Sequence, residues 1–382
     1  MLTDQDKYPD INSIKQKCKK TIPSFIWHYF DGSTGKELYR TRNRKILDSV
    51  LFSSDVLKGN INPKLNTNFM AFQFNLPFGV APVGMSSLIQ KNAEKNLANL
   101  ASTHNFPYVL STVGSCSIEE ITKGIKNMHN IWFQLYCPKD EDILIDLLDR
   151  CDKSGIETLV VTLDLPFPSV RERQISSGLT IPISISWKIL LDIFRNPIWL
   201  LRNFPMKTLQ MKNLTKYQDQ KIKLSSTKHI GYRMRQNPDM EYLKKIRSLW
   251  KGKIILKGVS SPEHLEKLKS FEYDAIWLSN HSGRQFDGSL PVISFLKSIR
   301  KKSTKPIIID GGLDSGLDII RAFALGADFV MMGRAWHYSF GAFGKKGPLI
   351  LLNIIKRDII SNMAQLGIEI VENLKKLKIY YV

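Results

Sequence analysis

The sequence has few cysteines, and none of them is arranged to cross-link a small fold or to hold zinc. The four cysteines among its 382 residues form no C-x-x-C pair, and no histidine stands at zinc-ligand spacing. Disulfide scaffolds and structural zinc sites depend on such spacings, so we expect neither of them, and no bound metal. Cysteine use of this kind is typical of a reducing cytosol. The four are Cys18, Cys116, Cys137 and Cys151.

Long hydrophobic runs are also missing. No stretch reaches the roughly 18–20 uninterrupted apolar residues that a membrane-spanning helix needs. The first residues, MLTDQDKYPDINSIKQK, are polar and of mixed charge, so we expect no signal peptide. Together these features predict a cytoplasmic protein without a membrane span.

Acidic residues are scarce relative to basic ones. The chain has 35 Asp and Glu against 55 Lys and Arg, which gives a formal net charge of +20. Such a surplus favours anionic partners: phosphate-bearing cofactors, acidic substrates, nucleic acid or anionic lipid. No nucleic-acid-binding module is recognisable and much of the excess is dispersed lysine, so we expect no nucleic-acid partner.

Eight short apolar runs are present, each ending in small or polar residues, and most are followed by a helical pattern. Each run is continuous rather than alternating, which is typical of parallel strands covered on both faces. Eight such units favour an α/β fold, a (β/α)8 TIM barrel. An open doubly wound sheet stays as the alternative, because the number of runs does not show closure. The runs are 77–84, 107–112, 131–136, 158–164, 253–258, 274–280, 306–312 and 328–334.

The pattern predicts one domain over residues 1–382, with three additions to the eight units. Residues 1–76 read as an N-terminal helical extension in which a helix, a turn and a second helix are recognisable. Within the barrel region, 77–344, residues 165–250 form a long insertion after the fourth strand. Residues 345–382 read as C-terminal helices.

The insertion combines basic and apolar residues. Residues 188–228 hold nine Lys or Arg and two acids, beside many apolar and aromatic residues. This combination is typical of a helix that lies in a membrane interface, where each basic residue near an anionic leaflet contributes about 1 kcal/mol. The alternative is a lid on the barrel mouth whose apolar face is buried in protein. The apolar residues are Trp187, Ile189, Leu190, Leu191, Ile193, Phe194, Ile198, Trp199, Leu200, Leu201 and Phe204.

The predicted strand ends carry polar groups where the active site of a TIM barrel lies. Together they would surround a large polar planar ligand, and the glycines after the last two strands suit a phosphate. His281 and Arg284 in SNHSGRQFDG place a base near a carboxylate anchor, and Asp164 would orient the imidazole. The strand-end residues are Pro82, Val83, Gly84, Ser111, Gln134, Tyr136, Thr162, Asp164, Lys257, Ser279, His281, Asp310, Gly311, Gly312, Gly333 and Arg334.

The chain resembles the FMN-dependent L-2-hydroxy acid dehydrogenases and oxidases over about residues 20–370. The segments WFQLY, TLDLP…RER, LKG, SNHSGRQFDG and DGG…GRAW stand in family order. The resemblance implies FMN and oxidation of an L-2-hydroxy acid to the 2-oxo acid, most like the bacterial L-lactate or mandelate dehydrogenases that pass electrons to quinone. It also implies a homotetramer, peripheral on the inner face of the cell membrane. An oxygen-dependent oxidase is the first alternative, and a non-catalytic anion- or lipid-binding barrel is the second.

The resemblance implies a role for each matching residue. His281 matches the catalytic base, Asp164 its carboxylate partner, and Lys257 the cation near the flavin N1/O2 edge. The substrate-binding groups are matched by Tyr29, Tyr136, Arg171 and Arg284. Flavin ring or ribityl contacts are matched by Pro82, Val83, Gly84, Ser111, Gln134, Tyr136, Thr162 and Ser279. The ribityl-phosphate contacts are matched by Asp310, Gly311, Gly312, Gly333 and Arg334.

The chain departs from the family pattern at four positions. The phosphate loop usually continues with an arginine where this chain has Asp314, so either Asp314 turns outward or FMN is held less tightly. Ser282 stands where glycine is usual, which matters only if that position needs a positive φ. Gln174 replaces an acid, and Tyr39 replaces a threonine.

Overall fold

The N-terminal extension is built from short helices and two pairs of strand segments. The computed structural model describes residues 3–179, 186–205, 210–217 and 236–381. The predicted helix, turn and second helix are present as α3 and α4. The elements ahead of the barrel are α1 (Asp4–Lys7), α2 (Ile11–Thr21), α3 (Ser24–Asp31), α4 (Leu38–Asp48), β1 (Val50–Leu51), β2 (Thr67–Phe69) and β3 (Phe72–Phe74).

Eight parallel strands then close into a barrel, one in each predicted apolar run. Consecutive strands pair in chain order, and the last strand pairs with the first through Val330 and Phe78. The (β/α)8 barrel is therefore confirmed and the open sheet is excluded. The strands are β4 (Phe78–Val80), β5 (Tyr108–Ser111), β6 (Ile131–Leu135), β7 (Thr158–Thr162), β8 (Lys253–Val259), β9 (Ala275–Leu278), β10 (Ile307–Asp310) and β11 (Phe329–Met332).

Helices cover the outside of the barrel. The segment 139–155, which has leucines at i, i+3 and i+4 spacing, forms α7. Gly155 follows this helix at φ +75°. The helices are α5 (Ala93–His104), α6 (Ile118–Thr122), α7 (Glu141–Lys153), α8 (Glu172–Ser176), α9 (Trp187–Phe194), α10 (Pro197–Asn203), α11 (Met240–Leu249), α12 (Glu263–Leu268), α13 (Leu296–Lys302), α14 (Gly316–Ala324), α15 (Arg334–Phe343) and α16 (Gly347–Gln365).

The β2–β3 hairpin closes the N-terminal end of the barrel. Phe69 and Phe74 pack on Phe329 inside the barrel, with ring centroids 5.2 and 5.6 Å apart. Large buried side chains, among them Trp132 and Trp277, fill the interior above the hairpin. One end of the barrel is therefore solid core, and only the carboxyl ends of the strands are left for a ligand.

The N-terminal extension pairs with the C-terminal segment and packs on the outside of the barrel. β1 pairs antiparallel with a short C-terminal strand, β12 (Tyr380–Tyr381), so the predicted C-terminal helices end in a strand. α2 packs on α15 so closely that a Cβ at Gly341 would lie 2.3 Å from the sulfur of Cys18. The extension is thus held to the barrel by direct helix packing.

The long predicted insertion contains a regular barrel helix at its end. α11 lies between β7 and β8, as the helix of an ordinary unit does, so the additional chain stops before it. Hydrogen bonds fix α9 and α10 to the N-terminal extension and to the barrel. Asp192 Oδ2 accepts hydrogen bonds from the backbone and hydroxyl of Ser24, both at 2.7 Å. Trp199 donates to the carbonyl of Ile89 at 3.1 Å, and the side-chain oxygen of Asn203 accepts from the backbone of Lys91 at 2.7 Å.

The apolar residues of α9 and α10 divide into two faces. Ile189, Ile193 and Trp199 are buried against the protein, as the lid interpretation expects. The outward face is apolar and exposed to solvent, as the membrane interpretation expects. Its exposed residues are Trp187, Leu190, Leu191, Phe194, Ile198, Leu201 and Phe204. Within 188–228, residues 206–209 and 218–228 lie outside the described residues. Among the helices that the structure describes, none has the length and hydropathy to cross a membrane.

Candidate active site

A cavity of about 920 Å³ opens at the carboxyl ends of the barrel strands. All of the predicted site residues line it except Ser111, Gln134, Asp164 and Ser279. The structure therefore brings together side chains from the N-terminal extension, the strand ends and the segment after β7. The four exceptions lie directly behind the wall, hydrogen-bonded to one another or to residues of the wall.

A row of hydrogen bonds joins the ends of β5, β6 and β7. The Ser111 hydroxyl donates to Gln134 Oε1 at 2.9 Å, and Gln134 Nε2 donates to the Thr162 hydroxyl, also at 2.9 Å. All three side chains are buried. Because each orientation is set by its neighbour, this side of the cavity is a rigid polar surface.

His281 and Asp164 form a close pair. His281 Nδ1 lies 2.6 Å from Asp164 Oδ2, so Nε2 is the nitrogen left to exchange a proton. Burial lowers the pKa of His281, as does the charge of Lys257, and Asp164 only partly compensates. Burial alone would raise the pKa of Asp164, but His281 and Lys257 outweigh it and the pKa is lowered. The pair therefore consists of a neutral imidazole and a carboxylate at neutral pH.

Two backbone features make this pair possible. Gly258 has φ +104°, and a Cβ there would lie 2.7 Å from the Asp164 side chain, so only glycine admits the carboxylate. His281 and Ser282 have φ values of +53° and +54°. Position 282 does need a positive φ, so its serine carries backbone strain of about 1–3 kcal/mol that glycine would avoid.

Lys257 is a buried cation at the end of β8. Its Nζ donates to the Ser279 hydroxyl at 2.7 Å and lies 3.3 Å from Asp310 Oδ2. The same hydroxyl donates to Asp310 Oδ1 at 2.7 Å. The ammonium is thus neutralised and fixed, which is the condition for burying such a charge.

Arg171 and Arg284 face the cavity without an acidic partner in the described part of the chain. Arg284 Nη1 donates to the carbonyl oxygens of Tyr29 and Gly32, at 2.9 and 3.0 Å. Burial, together with the charges of Arg171 and Arg334, lowers the pKa of Arg284 to about 9. Burial also lowers the pKa of Arg171. Two half-buried guanidiniums that oppose each other form a site for an anion such as a carboxylate.

The segment that carries Arg171 is held by an ionic network that the sequence did not predict. Arg173 lies 3.0 Å from Asp31 and 2.9 Å from Glu37, both in the N-terminal extension. Glu172 accepts a hydrogen bond from the backbone of Gly35 at 2.8 Å. The start of α8 is therefore fastened to the turn between α3 and α4, which keeps the neighbouring Arg171 at the cavity.

The residues after β10 and β11 fit a phosphate group. Gly312 has φ +67°, and a Cβ there would lie 2.6 Å from the side-chain nitrogen Nδ2 of Asn43. Arg334 Nη2 donates to the Ser33 hydroxyl at 2.9 Å, while its Nε is buried without a hydrogen-bond partner among the described residues. A buried unpaired donor beside open glycine backbone suits the phosphate of a flavin nucleotide.

The comparisons with known proteins agree with this geometry. A family model for FMN-dependent dehydrogenase matches residues 18–380. The L-lactate dehydrogenase of Xanthobacter autotrophicus is 32% identical over 366 residues, 95% of this chain and 94% of that relative. That of Bartonella tribocorum is 33% identical over 357 residues, 92% of each chain. The crystal structure of the monotopic membrane protein (S)-mandelate dehydrogenase gives a TM-score of 0.91 at 28% identity, covering 97% of this chain and 98% of that chain.

Fold and cavity together define a barrel oxidoreductase that uses a flavin. The chain belongs to the FMN-dependent dehydrogenase family, and it is an FMN-dependent 2-hydroxy acid oxidoreductase. The resemblance found in the sequence is thereby confirmed.

The sequence analysis did not predict several of the residues that line the cavity. Asn43 comes from the basic helix α4, and Met211 and Leu214 come from the segment after β7. Asn213, which is fully buried, holds that segment by accepting a hydrogen bond from the backbone of Ile118 at 2.8 Å. Neither stretch has a periodicity that marks it as a cavity wall.

The unpaired arginines lead to a prediction about stability. Arg171→Gln should raise the free energy of unfolding of the FMN-loaded protein by about 0.5–2 kcal/mol, because it removes one of two opposing half-buried cations. Adding oxalate should raise the melting temperature of the parent protein, and raise that of the variant less. Arg150→Gln is the matched control: Arg150 bonds Glu119 at 2.6 Å, so this change should destabilise the protein. Equal destabilisation by both changes in urea unfolding would contradict the prediction.

Proposed function

We propose that this protein oxidises an L-2-hydroxy acid, with L-lactate as the first candidate, to the 2-oxo acid, and that His281 is the base. The observation that carries the proposal is the His281–Asp164 pair in one cavity with the two unpaired arginines and the phosphate-fitting loop. Relatives named L-lactate dehydrogenase support the choice of substrate. Bound FMN supplies the group that accepts two electrons from the substrate.

The substrate carboxylate binds between Arg171 and Arg284. An anion there relieves the repulsion between the two guanidiniums, so binding energy is gained from charges that are unfavourable in the free protein. Burial raises the pKa of both Tyr29 and Tyr136. Both phenols therefore stay protonated. The Tyr29 hydroxyl, which donates to the carbonyl of Gly84 at 3.2 Å in the structure, would turn to donate to the carboxylate, and Tyr136 would contact the substrate hydroxyl.

His281 removes the proton of the substrate hydroxyl at Nε2. Asp164, on Nδ1, stabilises the imidazolium that forms and holds the ring in the correct tautomer. The lowered pKa of His281 keeps the base neutral and ready before substrate binds. Lys257 would lie at the edge of the flavin ring, where its charge would favour negative charge on that ring.

The remaining site residues would hold FMN. Pro82, Val83, Gly84, Ser111, Gln134, Tyr136, Thr162 and Ser279 would hold the ring and ribityl chain. Asp310, Gly311, Gly312, Gly333 and Arg334 would hold the phosphate end. These assignments rest on the position of each side chain at the cavity and on the match to the family motifs.

We further propose that quinone takes the electrons and that the protein docks peripherally on the inner face of the cell membrane. The exposed apolar face of α9 and α10 supports docking: Phe194 is 63% exposed and Leu201 is 78% exposed. Exposed Lys188 and Arg195 lie on the same helices and suit anionic lipid. Because Asp192, Trp199 and Asn203 fix these helices to the barrel, their apolar face cannot turn inward without breaking those contacts.

The role of His281 predicts a specific pH profile. For kcat/KM the free enzyme must hold a neutral imidazole, so activity should fall as the pH drops through a His281 pKa that lies below the ordinary value near 6.5. Asp164→Asn removes the charge that raises this pKa, so the acidic limb should move to lower pH while the rate falls. His281→Ala should lose about 10²–10⁴-fold in rate with its flavin spectrum unchanged. Full turnover by His281→Ala would refute the base assignment.

The electron acceptor is tested by reduction without oxygen. Anaerobic L-lactate should bleach the flavin absorbance, and a quinone analogue should restore it much faster than air. Glycolate and mandelate, used in the same way, rank the substrates. Rapid recovery in air would instead assign an oxygen-dependent oxidase.

Membrane docking is tested by making the exposed apolar face polar. The parent protein should sediment with anionic vesicles, and Phe194→Ser with Leu201→Ser should lose most of that binding, because burial of apolar area drives such attachment. The matched control is Val56→Ser with Leu57→Ser, two exposed apolar residues outside the insertion. Equal loss in both double variants, or a parent that stays in the supernatant at low salt, would refute docking through this face.

A further inference from the structure

Asp314 stands at the phosphate end of the cavity with an unpaired carboxylate. It lines the same cavity as Gly311, Gly312 and Arg334. Its backbone N–H donates to Asp318 Oδ2 at 3.0 Å, which fixes the start of the segment leading to α14. Its own carboxylate makes no hydrogen bond or salt bridge within the part of the chain that the structure describes. The Asp314 side chain is exposed to solvent where it lines the cavity.

The cations near Asp314 are mostly engaged with other acids. Lys15 and Arg40 each lie 3.2 Å from Asp31. Arg44 on α4 is likewise taken, since its two terminal nitrogens bond the Asp318 carboxylate at 2.8 and 2.7 Å.

Arg334 is different, because its hydrogen bonds go to neutral oxygens. These are the Ser33 hydroxyl at 2.9 Å and the carbonyls of Ser282 and Gly32 at 3.3 and 3.5 Å. Around the place for the phosphate, the described residues therefore offer two cations that are not in salt bridges, Arg334 and the exposed Lys45, and the unpaired carboxylate of Asp314 opposes them.

A carboxylate and a phosphate that share one cavity repel each other. The effect is larger in a partly enclosed site than in water, because the surrounding protein screens charge less well.

We propose that Asp314 selectively weakens the hold of this protein on the phosphate of FMN, so that FMN exchanges readily and is only modestly preferred over riboflavin. The proposal rests on the FMN dependence of the family. It does not depend on His281 as base, on the substrate or on the electron acceptor.

The test compares two flavins that differ only in the phosphate. Dissociation of FMN from the full-length holoprotein is followed by recovery of flavin fluorescence on dilution, and affinities for FMN and riboflavin are measured after the flavin is removed. Asp314→Asn should bind FMN at least about tenfold more tightly and riboflavin with unchanged affinity. Asp314→Ala is a second variant with the same expectation, because the bond to Asp318 uses only the backbone of residue 314.

Glu266→Gln is the matched control, since it makes the same change in net charge on α12, away from the cavity lining. It should leave both affinities unchanged. Two results would overturn the proposal: an unchanged ratio of FMN to riboflavin affinity in both Asp314 variants, or an equal gain in Glu266→Gln. Because both readouts are binding measurements, they stay valid whether or not L-lactate proves to be the substrate.

Discussion

Three arginine side chains meet at one cavity, and none of them forms a salt bridge within the described residues. Arg171 and Arg284 oppose each other at the end proposed for the substrate, and Arg334 stands at the end proposed for the phosphate. Half-buried cations without partners are unfavourable, so the protein is arranged to receive anions at both ends of the cavity. A carboxylate substrate and a phosphorylated flavin are the ligands that satisfy this arrangement.

Holding such charges together requires a rigid surround. Side chains fill the N-terminal end of the barrel, which Phe69 and Phe74 close. This packing keeps the strand ends in place. The N-terminal extension contributes the carbonyl oxygens that bind Arg284 and the acids, Asp31 and Glu37, that bind Arg173. The extension is therefore part of the active site. Its oxygen atoms accept hydrogen bonds from Arg284 and from Arg334, and these bonds partly offset the repulsion between the cations.

The barrel and most of the cavity were predictable because their signals are local. Each strand is a continuous apolar run, and each polar residue that follows one must lie at the same rim. The β2–β3 hairpin and the β1–β12 pair were not predictable, since strands of two or three residues have no measurable periodicity. The Arg173 network was also hidden, because its partners are more than 130 residues away in the sequence.

The insertion shows why two interpretations of one sequence pattern can both describe part of the molecule. Helices α9 and α10 have more apolar residues than can be buried on the one face that packs against the rest of the protein. Ile189, Ile193 and Trp199 anchor α9 and α10 to the barrel, and the surplus, which includes Phe194 and Leu201, faces outward. In the proposed docking mode this exposed apolar surface would rest on the bilayer, and none of the described helices would have to cross it. The buried contacts that hold α9 and α10 in place, as in a lid, would also keep their exposed apolar face oriented for membrane binding.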